Sequence, residues 1–336
     1  MTKILVSMVA YREKNLEASV RSCWERVEKP EDLLFSIVSE QGPGAFHADL
    51  SFIPQDQLLY RKYDLSEYRG VLWSRAKTME NDFDYDLALI TCGHNLFATN
   101  WDTISKNALI RAKDKTEDGK AVITFCAPEY TYNTDGTYNM GDLMEGIYEN
   151  KYHQKFLETY FPGHGFPEVV PVPKDQDVVE GAYYQASWVF ADKKFFEDVP
   201  LEADINYHAE EIYLSVKSWC AGYRFFATHK LIYIHDTGKK YPGEEKPRFA
   251  THRPWLDMNK DAFWKQSDES MIKLNDLLAG EGGISKEKIL EYAEFSGLNK
   301  KWCEKIEDIH LKDYLLGERH MFWVRDALKE PIIVNY

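Results

Sequence analysis

The 336-residue chain has no uninterrupted apolar run approaching about 18 residues, so it contains no candidate membrane-spanning helix. It is poor in cysteine. The five present (Cys23, Cys92, Cys126, Cys220, Cys303) are odd in number and scattered, without a Cys-x-x-Cys pair. That argues against a disulfide frame and a zinc knuckle, and it fits a reducing, cytoplasmic compartment. Positive charge is also short: 41 Lys and Arg stand against 55 Asp and Glu, a formal net charge of −14. A protein that coats nucleic acid with its whole surface is thereby disfavoured, although a local basic groove remains compatible. Internal repeats and low-complexity tracts are lacking. Met1-Thr2-Lys3 leads directly into Ile4-Leu5-Val6, so the first strand is expected at the N-terminus with no signal peptide before it.

What is present suits a packed globular protein. Hydrophobic residues make up 44% of the chain and aromatics 14%, and the length suits one large α/β domain with an appendage. Strand, helix and strand over residues 4–10, 16–27 and 33–38 form a βαβ unit. Further strands are expected at 58–63, 86–91, 121–125, 178–190, 224–227 and 231–234. Helices are expected at 70–79, 101–113 and 210–221, the last stopped by Gly222. Residues 129–174 are polar, aromatic and rich in Gly and Pro, and read as an insertion with a helix near 152–160. The pattern changes near residue 256. The expected division is a domain over 1–255 and a helical region over 256–336, with short helices at 271–279, 286–295, 302–311 and 315–328 and a flexible joint at Gly280-Glu281-Gly282-Gly283.

Chemistry-bearing residues recur at strand ends and helix starts. Glu210 and Glu211 open a helix whose Ile212, Val216 and Trp219 recur at helical spacing. By itself, such a pair only complements the helix dipole, and losing one charge there should cost about 1 kcal/mol or less. The first strand ends in Ser7, Ala10, Tyr11 and Arg12, where open α/β sheets hold their ligands. Arg69-Gly70 with Trp73 and Arg75 places guanidinium groups at a helix N-terminus, which suits a diphosphate. Cys92-Gly93-His94 ends another strand, and His235 ends the last.

Together these segments resemble the cytosolic hydroxyproline N-acetylglucosaminyltransferase family, retaining enzymes of the GT-A fold. The likeness rests on Leu5-Val6-Ser7 with Ala10-Tyr11-Arg12, Arg69-Gly70 with Trp73-Ser74-Arg75, His94 with Phe97 and Asn100-Trp101-Asp102, Gly181-Ala182, Glu210-Glu211-Ile212, and Gly222-Tyr223 leading to His235. It implies a Rossmann-like mixed sheet flanked by helices and a glycosyltransferase that uses a UDP-sugar. Glu210 and Glu211 would position hydroxyls. Ser7, Ala10, Tyr11, Arg12, Arg69, Gly70, Trp73, Arg75, Cys92, Gly93, Gly181 and Ala182 would line the donor site, and His94 and His235 would bind a cation.

The chain departs from the family at one position. The family carries Asp-Ser-His where this sequence has Cys92-Gly93-His94. Thiolate is a poor partner for Mg²⁺ and a moderate one for Mn²⁺. The cation is therefore expected to favour Mn²⁺ and to be weakly held or dispensable, with Cys92 a buried structural cysteine. Residues 229–253 carry Lys230, Lys239, Lys240, Lys246, Arg248 and Arg253 against Asp236, Glu244 and Glu245, a net +3. This run reads as a loop able to fold over a diphosphate, with Lys239 and Lys240 on the donor. Two acceptors stay open, a hydroxylated protein side chain and hydroxymethylated DNA. A binding protein that kept the fold and lost catalysis is the alternative that the missing aspartate permits.

Overall fold

The computed structural model describes residues 2–42, 45–132, 138–139, 149–153, 169–205, 209–236 and 260–298. In chain order the strands are β1 (Ile4–Tyr11), β2 (Leu33–Gln41), β3 (Leu58–Asp64), β4 (Leu87–Cys92), β5 (Asn95–Phe97), β6 (Ala121–Ile123), β7 (Glu129–Tyr132), β8 (Tyr138–Asn139), β9 (Lys151–His153), β10 (Val169–Pro171), β11 (Val179–Gly181), β12 (Trp188–Asp192), β13 (Arg224–Ala227) and β14 (Tyr233–Asp236). The helices are α1 (Leu16–Glu25), α2 (Val71–Met79), α3 (Trp101–Lys113), α4 (Lys193–Asp198), α5 (Glu210–Cys220), α6 (Lys260–Ala279) and α7 (Lys286–Ser296).

An eight-stranded sheet in the order β11-β13-β6-β12-β4-β1-β2-β3 forms the centre. Strands β4, β1, β2 and β3 run parallel, whereas β12 is antiparallel to both β4 and β6. The apolar sequences of β1 and β2 follow from this position, because helices cover both faces and neither strand meets water. Alternate residues serve opposite faces. Ile4, Val6 and Met8 pack with Leu16 and Val20 of α1 and with Trp101 and Leu109 of α3. Leu5 points into the other layer, with Leu72 of α2, Ile212 and Val216 of α5, Leu274 of α6 and Tyr292 of α7.

Several expectations need correction. Residues 178–190 form two strands, not one, because the segment between β11 and β12 leaves the sheet to bond α5. Tyr152, expected in a helix, lies in β9, paired with Val170 of β10; residues 154–160 of that expected helix lie outside the described residues. Strand β5 and helix α4 were not foreseen. The expected C-terminal helices are, in their described part, a longer α6 and α7, both packed on α5 through Met271, Leu274, Leu277, Leu278, Ile289 and Tyr292. Gly280, Gly282 and Gly283 between them have φ of 88°, 80° and 81°, left-handed values that favour glycine. Residues 302–311 and 315–328, and the lysines Lys239 and Lys240 with the rest of the basic run from 237 onward, lie outside the described residues.

Candidate active site and cation centre

A small four-stranded sheet, β5-β14-β7-β8, brings together residues far apart in sequence. Strand β4 ends at Cys92, in register with Val9 of β1, and the chain turns through Gly93 and His94 into β5. The turn is tight. The Gly93 amide donates to the Val9 carbonyl (3.2 Å), and a Cβ on Gly93 would lie 3.1 Å from Leu16 Cδ1 and 3.2 Å from that same carbonyl. Antiparallel pairing of β5 with β14 sets His235 opposite Asn95. The result places His94 Nε2 3.1 Å from His235 Nε2, with both rings part-exposed.

Cys92 joins them. One donor atom from each of Cys92, His94 and His235 lies within 4.8 Å of the others. Cys92 as a residue is half-buried at the strand end. Burial would push the Cys92 thiol up, but the His94 charge beside it and hydrogen bonds from both imidazoles outweigh this and hold it well below the usual thiol value. Behind the cluster, His94 Nδ1 meets the carboxylate of Glu13 at 2.9 Å, and Glu13 is almost wholly buried. The Asn15 amide also donates to Glu13 (3.2 Å), and the Tyr130 hydroxyl donates to the His94 carbonyl (2.9 Å). Glu13 and Tyr130 were not foreseen. Glu13 lies one residue beyond the Tyr11-Arg12 motif, and only the β5–β14 pairing shows what it faces.

The paired acids of α5 separate in role. Glu210 is buried in an ion pair with Arg75 of α2, whose Nη2 also donates to the Ala186 carbonyl (2.9 Å). Neither side chain presents its charge to solvent. Glu211 instead accepts from the Ala186 amide (2.9 Å) and the Tyr183 hydroxyl (3.0 Å). Burial raises its pKa most, against the lowering Ala186 hydrogen bond, and it stands at about 7. Both acids thus anchor residues 182–187, the crossing from β11 to β12. Thr91 and Asn95 fix the far end by donating to the Ser187 carbonyl (3.3 and 3.2 Å). The crossing therefore ties α5 to the turn that carries Cys92 and His94.

The other expected donor residues divide. Ala10 and Tyr11 close β1, and Arg12 follows in the left-handed region (φ 49°) with its guanidinium 5.5 Å from the Tyr11 ring centre. Tyr11 packs over Gly42, where any Cβ would collide with its hydroxyl. Ser7 lies within the core, bonded to Thr78 of α2, and is not brought to the strand end. Gly70, at φ 116°, begins α2. Arg69 is exposed and donates to the carbonyls of Ser66 and Tyr68 (both 3.0 Å), while Trp73 stands edge-on to Tyr63 (5.1 Å between ring centres). Gly181 closes β11 at the sheet edge, and the Ala182 carbonyl accepts from the Tyr292 hydroxyl (2.8 Å) of α7.

The profile of the family described as Glycosyltransferase (GlcNAc) matches residues 39–266. No curated protein matches the chain. Among solved structures, residues 1–349 of S. aureus TarS in complex with UDP-GlcNAc are similar with a TM-score of 0.50 at 12% identity, over 97% of this chain and 78% of that one. GalNAc-T7 with UDP, GalNAc and Mn²⁺ gives a TM-score of 0.47 at 12% identity over 93% of this chain, which spans only 57% of the GalNAc-T7 chain. The mannosyltransferase PcManGT from Pyrobaculum calidifontis, with GDP-Man and Mn²⁺, gives 0.45 at 11% identity over 90% of this chain and 71% of that one. The mixed sheet with its flanking helices is that of the GT-A glycosyltransferases.

Proposed function

The chain belongs to the GlcNAc glycosyltransferase family, and on that premise we propose that it transfers a sugar from a UDP-sugar to a hydroxyl of a macromolecular acceptor. The observation that carries this reading is the convergence of Cys92, His94 and His235 at the carboxyl end of β4. Open α/β sheets hold their ligands at such strand ends. A fold relative, the TarS fragment, is in complex with UDP-GlcNAc, which supports the choice of donor.

Two imidazoles and a thiol whose donor atoms lie within 4.8 Å of one another fit a divalent cation later in the first transition row better than Mg²⁺. Such an ion would supply positive charge against the diphosphate as it leaves. Around it, Tyr11 and Arg12 at the end of β1 would bind the nucleotide, with Gly70 opening α2 toward phosphate. Glu211 would orient a hydroxyl through its carboxylate. Glu210 would act at one remove, since its charge is spent on Arg75. Retention by front-face attack asks for no strong protein base, and the site derives its rate from electrostatic stabilisation.

The net charge of −14 favours a hydroxylated protein side chain as acceptor, and the +3 of residues 229–253 favours the hydroxymethyl group of a modified DNA base. Incubation with a panel of UDP-sugars and both acceptor types, read by intact mass, tests the reading. A hexose or N-acetylhexosamine mass gain on one acceptor is expected. Sugar-nucleotide binding without hydrolysis or transfer would replace an enzyme with a binding protein.

A further inference from the structure

We propose that Cys92 is itself a metal ligand, so that Cys92, His94 and His235 form a thiolate–bis-imidazole centre selective for Zn²⁺ and Co²⁺, with Glu13 the outer carboxylate that orients His94. The inference rests on the functional reading above only for what the ion would do; the centre itself follows from side-chain geometry.

Each donor is fixed by a rigid element. Cys92 closes β4, which is held between β1 and β12. His235 lies in β14 between β5 and β7. His94 sits on the turn joining the two sheets, where its ring is held by Glu13 at Nδ1 and its carbonyl by Tyr130. With His94 Nδ1 turned to Glu13 (2.9 Å), Nε2 is the ring nitrogen on the side of His235. A carboxylate behind an imidazole is the arrangement that sets tautomer and ring angle in metal-bound histidines. Zinc–nitrogen bonds of about 2.0–2.1 Å put two imidazoles on one tetrahedral ion roughly 3.3 Å apart. The two Nε2 atoms here are 3.1 Å apart.

Donor chemistry then decides the ion. Thiolate with two imidazoles is a soft-to-borderline set, which suits zinc and cobalt and disfavours the oxygen-seeking Mg²⁺. Three protein ligands leave a fourth tetrahedral position open, the pattern of sites that act on a substrate and not of sites that only brace a fold. The aspartate-to-cysteine departure would thus exchange a hard site for a soft one and retain the metal, contrary to the expectation of a weak or dispensable cation.

Cobalt provides the test. The chelator-treated protein, titrated anaerobically with Co²⁺, should develop a near-ultraviolet thiolate-to-cobalt charge-transfer band and strong visible bands of tetrahedral geometry. Cys92→Ser should abolish the charge-transfer band and weaken Co²⁺ by at least ~10-fold, and Glu13→Gln should keep the band but weaken the ion by about 10–100-fold. Cys126→Ser should change neither. If Cys92→Ser does not fold, alkylation of the intact protein reads the same bond: Zn²⁺ should protect Cys92 from iodoacetamide. Failure of the intact protein to bind Co²⁺ or Zn²⁺, a band that survives Cys92→Ser, Co²⁺ bound without a near-ultraviolet band, or no protection by Zn²⁺ would each overturn the proposal, leaving a hydrogen-bonded imidazole pair beside a bystander thiol. Sugar transfer without a thiolate band would sink this inference and spare the proposed function. A band without sugar-nucleotide binding or transfer would do the reverse.

Discussion

Adjacent glutamates at one helix start meet opposite fates. Glu210 neutralises Arg75 in a site where both side chains are at most 5% exposed. Removing one member leaves the other charged and out of water, so Glu210→Gln should destabilise the protein by about 3–5 kcal/mol in urea unfolding. That corrects the expectation that either charge could be lost for about 1 kcal/mol, which treated both as solvated helix-start acids. Glu211 bonds a backbone amide and a tyrosine hydroxyl, which a glutamine can also satisfy in part. Glu211→Gln should therefore fold, and steady-state kinetics should show turnover at least ~10-fold lower, about 1.4 kcal/mol of barrier. Full activity in Glu211→Gln would remove this carboxylate from the site. The sequence exposed both acids but not their difference, because the partner that separates them, Arg75, lies 135 residues away.

Helix α2 shows how far local sequence carries. Its start at a glycine was legible, and the structure places Gly70 as N-cap at φ 116° and ψ 164°, a region that essentially only glycine occupies. Gly70→Ala should cost about 1–3 kcal/mol in thermal or chemical unfolding, with the loss confined to the α2 end of the sheet in hydrogen exchange. Buried strands such as β1, β2 and β4 and the amphipathic α3 were equally legible, since their apolar patterns report burial directly. Strand β5 was not: three residues after a turn carry no period, and only pairing with β14 makes them a strand. The same blind spot hid Glu13 and split the β11–β12 segment. His94 and His235 could be named from resemblance, whereas their meeting with a partly exposed Cys92 is a property of the pairing.

Across the whole molecule, two raised carboxyl groups make stability depend on pH. Burial raises the Glu40 pKa to about 8 and that of Glu211 to about 7, each from an ordinary 4.5. Between the ordinary 4.5 and these raised values the folded chain binds more protons than the unfolded one, so this contribution to stability is full only below about pH 4.5, falls as pH rises, and is gone above about pH 8. Glu40→Gln should flatten the fall in urea midpoint between about pH 5 and pH 8; an unchanged slope would show that Glu40 is ionised throughout. Helices α6 and α7 pack into the same core cluster as α5, where Leu274 of α6 is 1% exposed. Leu274→Ala should cost about 2–5 kcal/mol, measured on the global transition. The turn histidine and the β14 histidine stand 141 residues apart in the chain. During synthesis, a ribosome must therefore extrude every residue from the β5 turn through β14 before an ion could find both imidazoles. Metal capture would then report that β14 has paired with β5, and a nascent chain halted ahead of β14 could not be rescued by adding the ion.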